Sequence, residues 1–496
     1  MHIIRYTIRH KPYFIDGLIV LALALFFLVA NLLRLDFVES LQHNDGWWYL
    51  NRAWLHSHGI LDELSFYTLA YPLLVGAVNL LIGDLPLSAI AVNAISQLFL
   101  LLGVYVLGKQ LVNRAVGLLS AFLLALNVGN LFLSRIIHPS LLFTAVTVWL
   151  IVLAIEFIKQ PSGRHALGIA ILLAGAPFIR TEGVIWGLII PVALVISYLR
   201  GHTWRALLKY ALIIALVISP MWLGYFVWFS IGADALSRVG GLGIERITRA
   251  FDIAGSQLNS SDWAAILIGL LVLPSIWRIV LWLFPVLLMI FAYMTFLSPG
   301  PEPVYALQLI PYLMIIYSTV LFRASQRSWL RVIVAVALAL ATYNAFQSLQ
   351  RLPAPLEFRS HPVAARAQQA VDELTNWRQA NGYERTTLYT LCTELMIFAQ
   401  FDIRLPYTGL LFSSRRFAPP EQALPQIAAQ DALLLVCPSF IGDLRDIPWT
   451  QLYGYWSGAE RNNPELADMA RYPLEEVGRV REYIIYRVKP ELQSAQ

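Results

Sequence analysis

Apolar runs close to twenty residues long recur along this chain from residue 13 to residue 349. A helix of that length crosses the roughly 30 Å hydrocarbon core of a bilayer. The runs predict spanning helices near 13–33, 87–108, 116–134, 139–158, 166–180, 183–199, 208–231, 263–277, 279–297, 304–322 and 329–349, about eleven in all. The first run follows Arg5, Arg9 and Lys11. It is longer than the apolar region of a signal peptide and has no A-x-A-like exit, so it is expected to remain as an anchor helix. One stretch departs from the pattern. "AYPLLVGAVNLLIG", residues 70–83, is apolar but short. A run of that length is more often interfacial or re-entrant than spanning.

The pattern changes after residue 351. Pro353 and Pro355 end the last apolar helix, because proline lacks the N–H that a helix interior uses. A helical pattern then covers 362–380 and another lies near 420–430. Between and after them stand short strand-like runs, "TTLYTL" (386–391), "ALLLVC" (432–437) and "EYIIYRV" (482–488). Helices alternating with such runs predict a small α/β unit. The expected architecture is therefore an all-α polytopic membrane bundle over residues 1–351 and a soluble α/β domain over 352–496. Cys392 and Cys437 each end a predicted strand. They fit a disulfide in an oxidising compartment and two buried thiols equally well.

Composition agrees with the bundle. Of 496 residues, 58% are hydrophobic and 14% charged, against about 25% charged in an ordinary soluble chain. Charge then gives orientation. The connections at 109–115, 159–165, 200–209, 278 and 323–328 carry Lys or Arg and no Asp or Glu. They alternate with mixed or acidic ones and share a side with the basic N-terminus. Positive loops stay in the cytoplasm. The N-terminus is thus expected inside, and the C-terminal domain outside a plasma (inner) membrane. Counting 70–83 as a crossing would invert every later loop. It is instead expected to lie flat on the outer face with a helix near 45–58, whose Trp47, Trp48, Tyr49 and Trp54 suit headgroup depth. Residues 34–86 then form one large outer loop. The net charge of +5 is a topology signal, and a nucleic-acid partner is not expected.

The outer loop contains "HNDGWWYL", residues 43–50, a carboxylate among aromatic rings. Alone, Asp45 reads equally well as an ordinary N-cap. Its context is Asp45-x3-Tyr49-x3-Ala53-x5-Gly59, then Tyr71-Pro72, followed further on by "AGAPFIRTEG" (174–183) and "VYALQLIPYL" (304–313). This arrangement resembles the GT-C class of integral-membrane glycosyltransferases. The nearest branch holds protein O-mannosyltransferases, the lipid A aminoarabinose transferase and related bacterial lipopolysaccharide sugar transferases. The resemblance covers residues 1–349 and reaches no motif of the soluble tail.

The resemblance implies an inverting transfer of a hexosyl or pentosyl group from a polyprenyl-phosphate-linked donor, at the outer membrane face. Glycan, lipid or protein hydroxyls are the implied acceptors. Asp45 matches the family's catalytic base. A positioned carboxylate that removes the acceptor's proton is worth roughly 10²–10⁴-fold. Trp48, Tyr49, His138 and Glu182 are expected to line the substrate site. The leaving phosphate calls for cations, and Arg180, Arg135 and Arg249 are the candidates, with Arg52 and Arg246 behind them. Arg180 stands at an outer helix end beside Glu182, a position that also fits a structural pair or snorkelling.

One stretch departs from the family. The second outer loop reads "SRIIHPSLL" (134–142), with His138 where an acidic residue often follows the arginine. His138 fits a substrate contact or a local structural residue. No paired carboxylate remains to hold an ion there, so no metal and no other cofactor is expected. Two other functions stay open: a transporter or flippase of lipid-linked glycans, which calls for paired buried charges at mid-membrane and broken-helix repeats, and an inactive homologue that binds a partner.

Overall fold

In the computed structural model of the chain, the described residues are 15–26, 46–59, 68–134, 136–230, 244–256, 258, 260–297, 307–350, 362–390, 395, 399, 401, 403–404, 420–436, 474–481 and 483–489. Every apolar run marked by the sequence contains helix. In chain order these are α1 (Ile15–Phe26), α2 (Gly46–Ser57), α3 (Ala70–Ile82), α4 (Leu85–Leu111), α5 (Arg114–Leu126), α6 (Val128–Leu133), α7 (Ser140–Lys159) and α8 (Gly163–Ile179). A 3-10 segment, Thr181–Leu188, leads into α9 (Ile189–Leu199). Then come α10 (Trp204–Ser230), α11 (Ile244–Ser256), α12 (Ser260–Val272), α13 (Pro274–Ala292) with a π-helical turn at Tyr293–Leu297, α14 (Ile310–Ser325) and α15 (Arg331–Gln350). Among the described residues, five helical segments are long and apolar enough to cross a membrane on their own: Leu85–Leu111, Ser140–Lys159, Thr181–Leu199, Trp204–Tyr225 and Ile276–Thr295. The protein is a membrane protein.

Local chemistry sets the helix ends. Asp84 caps α4, its side chain accepting the Leu87 N–H at 2.9 Å, and prolines cannot disturb the first turn, where N–H groups are unpaired anyway. Asn113 caps α5 and Ser162 caps α8 in the same way. The run expected as one helix over 116–134 divides at Asn127. That residue is extended, and its side chain accepts the Asn130 N–H at 2.9 Å, so it ends α5 and starts α6. The two shorter pieces, α2 and α3, pack on each other. Gly76 permits this, since a Cβ there would stand 2.6 Å from the Ala53 carbonyl oxygen.

The tail folds as an α/β unit. Helices α16 (Pro362–Ala380) and α17 (Pro420–Ala429) accompany a five-stranded sheet of order β2-β1-β3-β5-β4. Its strands are β1 (Leu388–Thr390), β2 (Ile403–Arg404), β3 (Leu433–Val436), β4 (Leu474–Val480) and β5 (Tyr483–Val488). Strands β2, β1 and β3 run parallel, and β5 and β4 are added antiparallel. The sequence marked three of these strands. It missed β2, which is two residues long, and β4, whose "LEEVGRV" carries no apolar alternation. Cys392 and Cys437 lie outside the described residues.

One apolar cluster joins the tail to the membrane part. It runs from Tyr49, Leu50 and Ala53 of α2 through Tyr71 and Val75 of α3 and Ala89 of α4 to Ala370 and Leu374 of α16 and Leu388 and Leu433 of the sheet. The α/β unit therefore sits on the end of the bundle that carries α2 and α3. A separate and larger cluster fills the bundle itself.

The opposite end has its own polar lock. Asp16 of α1 is fully buried. It accepts Arg114 Nη2 at 2.6 Å, Arg114 Nε at 2.7 Å and the Tyr105 hydroxyl at 2.5 Å. Beside it Gln110 donates to Glu156 at 2.9 Å. Lys109, Arg114 and Lys159 thus gather at one end of the bundle, as the loop charges require.

Candidate active site

The other end of the bundle holds a buried polar cluster built from four segments. Helix α8 ends at Arg180, whose backbone is extended, with φ −152° and ψ 141°. The chain then turns at once into the 3-10 segment. That turn is tight enough that a Cβ on Gly183 would lie 2.3 Å from the Ala176 carbonyl carbon. It brings Glu182 back against Arg180. Arg180 Nε donates to Glu182 Oε1, and both residues are more than nine-tenths buried.

Arg180 also reaches the start of α7. Its Nη1 donates to the Ser140 hydroxyl at 2.7 Å and lies 3.4 Å from both ring nitrogens of His138. The Ser140 N–H donates to His138 Nδ1 at 3.2 Å. Tyr49 of α2 meets the same ring edge to face, at 5.9 Å between centroids, and meets Tyr71 of α3 likewise at 5.4 Å.

Supporting contacts fix these groups. Tyr71 donates to Asn93 Oδ1 at 3.0 Å, and Asn93 Nδ2 donates to the Ile136 carbonyl at 2.8 Å. The loop before α7 is thereby tied to α3 through α4. Thr68 donates to the Ile179 carbonyl at 2.5 Å, tying the loop before α3 to the end of α8. The Tyr293 hydroxyl stands 3.4 Å from Glu182 Oε2. A buried cation with one carboxylate, one hydroxyl and an imidazole around it is suited to receive an anion from a poorly hydrated site.

Next to this cluster runs an apolar groove of about 800 Å³ between α7, α9 and α13. Ile151 and Ile158, Ile189 and Ile196, and Leu281 and Met289 form its walls. Arg278 stands at one end of α13 and Tyr293 just past the other. That separation is about 22 Å at 1.5 Å per residue, most of a bilayer core. The Tyr293 end is the one that touches Glu182.

The structure brings Arg180, Glu182, His138 and Tyr49 of the expected residues together. Asp45 and Arg135 lie outside the described residues. Trp48 is on α2 and Arg249, like Arg246, on α11, with side chains outside the description. Arg52 of α2 is buried. Ser140, Asn93 and Tyr293 were not singled out by the sequence. Each lies inside or beside an apolar run where packing is the ordinary expectation. Among the described residues no group of three His, Cys, Asp or Glu side chains is placed to hold a metal ion.

No family model matches the chain, and no curated protein matches it. Solved structures do. The crystal structure of ArnT from Cupriavidus metallidurans bound to undecaprenyl phosphate aligns with a TM-score of 0.60 at 12% identity, covering 96% of this chain and 98% of that one. The apo state of the same protein gives 0.60 at 14% identity over the same shares. The archaeal oligosaccharyltransferase AglB from Archaeoglobus fulgidus, in complex with an inhibitory peptide and a dolichol-phosphate, gives 0.51 at 11% identity over 86% of this chain and 70% of that one. The chain has the GT-C fold. The ArnT alignment extends over almost all of both chains, so the GT-C likeness includes the α/β tail, where the sequence shows no motif.

Proposed function

We propose that this chain transfers a sugar from a polyprenyl-phosphate-linked donor to a hydroxyl acceptor at the outer face of the plasma (inner) membrane, with inversion and with Asp45 as general base. One observation carries the reading: a buried cation, Arg180, stands where an apolar groove as long as most of a bilayer reaches the end of the bundle. A polyprenyl phosphate needs that pairing of a long apolar slot and an anion site at its mouth. The solved GT-C proteins hold undecaprenyl phosphate and dolichol-phosphate, which supports the same class of carrier here.

In this reaction the carrier chain lies in the groove and its phosphate reaches Arg180. Glu182 holds the guanidinium by Nε, and Ser140 and His138 hold Nη1. Arg135 and Arg249 supply further positive charge. The acceptor hydroxyl attacks the anomeric carbon from the face opposite the phosphate. Asp45 takes its proton, the bond from the anomeric carbon to the phosphate oxygen breaks, and the polyprenyl phosphate leaves with its charge against Arg180. Trp48, Tyr49 and His138 line the sugar's position. Eleven crossings put the N-terminus in the cytoplasm and the domain at 352–496 outside, above the same site. The transferred group is a hexose or pentose, and its acceptor is a glycan, lipid or protein of the cell surface.

The test is transfer by the purified chain from a panel of labelled polyprenyl-phosphate sugars. Wild type is expected to transfer from at least one, and Asp45→Asn to lose at least 10²-fold in rate while eluting and melting as wild type does. Near-normal turnover by Asp45→Asn would remove Asp45 as the base. Hydrolysis or transport without transfer would remove the reaction itself.

A further inference from the structure

The groove and the charged cluster meet at one side chain. Tyr293 lines the groove, and its hydroxyl lies 3.4 Å from Glu182 Oε2. The other oxygen of Glu182 receives Arg180 Nε. A single buried carboxylate thus connects a groove wall to the cation. The backbone is unusual at this point as well. Helix α13 gives way at Tyr293 to the π-helical turn Tyr293–Leu297. Such turns shift the register of a helix by part of a turn and recur at functional sites. Here the turn begins at the residue that touches Glu182, and Met294 and Thr295, next along it, are buried.

The physical consequence is competition. A phosphate arriving at Arg180 has to share the guanidinium with Glu182. The Tyr293 O–H donates to the carboxylate and draws part of its charge away from Arg180. A chain seated in the groove lies against the same side chain. Ring position therefore changes the hydrogen bond to Glu182, and through it the pull of Arg180 on an anion. Groove occupancy and anion affinity are linked through the Tyr293 hydroxyl, which shares Glu182 Oε2 with the Thr181 hydroxyl, also at 3.4 Å.

We propose that Tyr293 is a specificity-determining positioning residue: it makes the affinity of the Arg180 cluster for a phosphate depend on a long isoprenoid chain in the groove. The inference rests on the function proposed above, in that it takes the carrier phosphate to bind at Arg180. Its effect is to favour long-chain carriers over short prenyl phosphates with the same headgroup chemistry.

The experiment measures equilibrium binding of two probes to the purified full chain, undecaprenyl phosphate and the ten-carbon geranyl phosphate, with no sugar and no turnover required. Wild type is expected to prefer the long probe by at least 100-fold. Tyr293→Phe keeps the ring in the groove wall and loses the hydroxyl, and is expected to narrow that preference about 10-fold. In a Glu182→Gln background the same substitution is expected to change the preference less than 2-fold, because the connection is already altered. Met289→Ala is the reference. It thins the groove wall without reaching Glu182, and its effect should be the same in both backgrounds. The inference is overturned if Tyr293→Phe leaves the preference at the wild-type ratio, if its effect persists in full beside Glu182→Gln, or if wild type shows no chain-length preference. A chain that binds with the expected pattern but transfers no sugar from any donor would overturn the proposed reaction and leave the role of Tyr293 standing.

Discussion

Arg180 and Glu182 are two residues apart in sequence and form a buried ion pair across the break between α8 and the 3-10 segment that follows. Two residues apart on one continuous helix, they would point to different faces. The extended backbone at Arg180 is what lets them meet. Removing one member of a buried pair leaves an unpaired charge, which commonly costs about 3–5 kcal/mol. Arg180→Ala and Glu182→Ala are each expected to lower thermal stability in detergent, and the double substitution by less than the sum of the two. Activity should separate them. Arg180→Ala also removes the cation, with about 10²–10³-fold lost from turnover of the folded fraction. Glu182→Gln keeps an acceptor for Arg180 Nε and should lose about tenfold or less. Equal losses of activity in those two variants would make the pair structural only.

Gly183 carries the turn that makes the pair. A methyl group there would meet the Ala176 carbonyl carbon at 2.3 Å and the Pro177 nitrogen at 2.5 Å, both backbone atoms. The segment holding Glu182 must then move. Gly183→Ala is expected to cost about 1–3 kcal/mol, as overpacking usually does, and to reduce transfer with it. Gly175, where a Cβ meets nothing within 4 Å, is the matched control: Gly175→Ala should melt at or above the wild-type temperature. A Gly183→Ala protein of normal stability and turnover would show that the turn relaxes freely.

Asp16 and Arg114 make an unequal pair. The Asp16 side chain is fully buried, while that of Arg114 is 48% exposed. Arg114→Ala leaves a buried carboxylate with only the Tyr105 hydrogen bond and the charge of Lys109 among the described residues. Asp16→Asn leaves an arginine that can turn to water. Arg114→Ala is therefore expected to destabilise more, by about 3 kcal/mol, and Asp16→Asn by about 1 kcal/mol. Thermal unfolding in one detergent orders them. The reverse order would place the buried cost on the arginine.

The α/β unit carries a pH-dependent clasp. Arg481 grips Glu373 with two hydrogen bonds of 2.9 Å, tying the β4–β5 turn to α16. The hydrogen bonds from Arg481, and then its charge, hold the Glu373 carboxyl below the usual glutamate range. A carboxyl lowered on folding adds stability that is complete above its unfolded value and is lost as pH falls through the folded one. Unfolding of this unit should therefore become easier below about pH 4. Glu373→Gln should flatten that acid limb and leave stability near pH 2 unchanged. An acid limb identical in the two proteins would show that the clasp adds nothing to stability.

The hydrophobic and charge pattern was enough to place the elements. Apolar length marked the long bundle helices because a bilayer core calls for an apolar run of about twenty residues, and it passed over α11 (Ile244–Ser256), which is not apolar throughout. Pro353 and Pro355 marked the expected end of the last bundle helix, while the caps at Asp84, Asn113 and Ser162 were not singled out, although such constraints act over only three or four residues. The short run at 70–83 was separated from the spanning helices by length, and α3 occupies it as a helix packed on α2. Strand β4 escaped because its partner β5 and a bulge at Glu476 to Gly478, more than its own sequence, hold it in the sheet.

The site was legible only in part. Arg180, Glu182 and His138 could be named because a charge, or a histidine beside a helix start, is conspicuous in an apolar chain, and Tyr49 because it stands in the aromatic run after Asp45. Nothing in the sequence says that residues 49, 138 and 180 converge. That follows from helices of different lengths ending at one level and from Tyr71 and Asn93 fastening the loops between them. Tyr293 was invisible for the same reason. In sequence it is one of 22 tyrosines, and only a π-helical turn aims it at a carboxylate 111 residues away. Burial length and local capping are properties of single segments, so sequence determines them. The meeting of a groove with a cation depends on how segments distant in the chain pack, and that is settled only when the whole bundle closes.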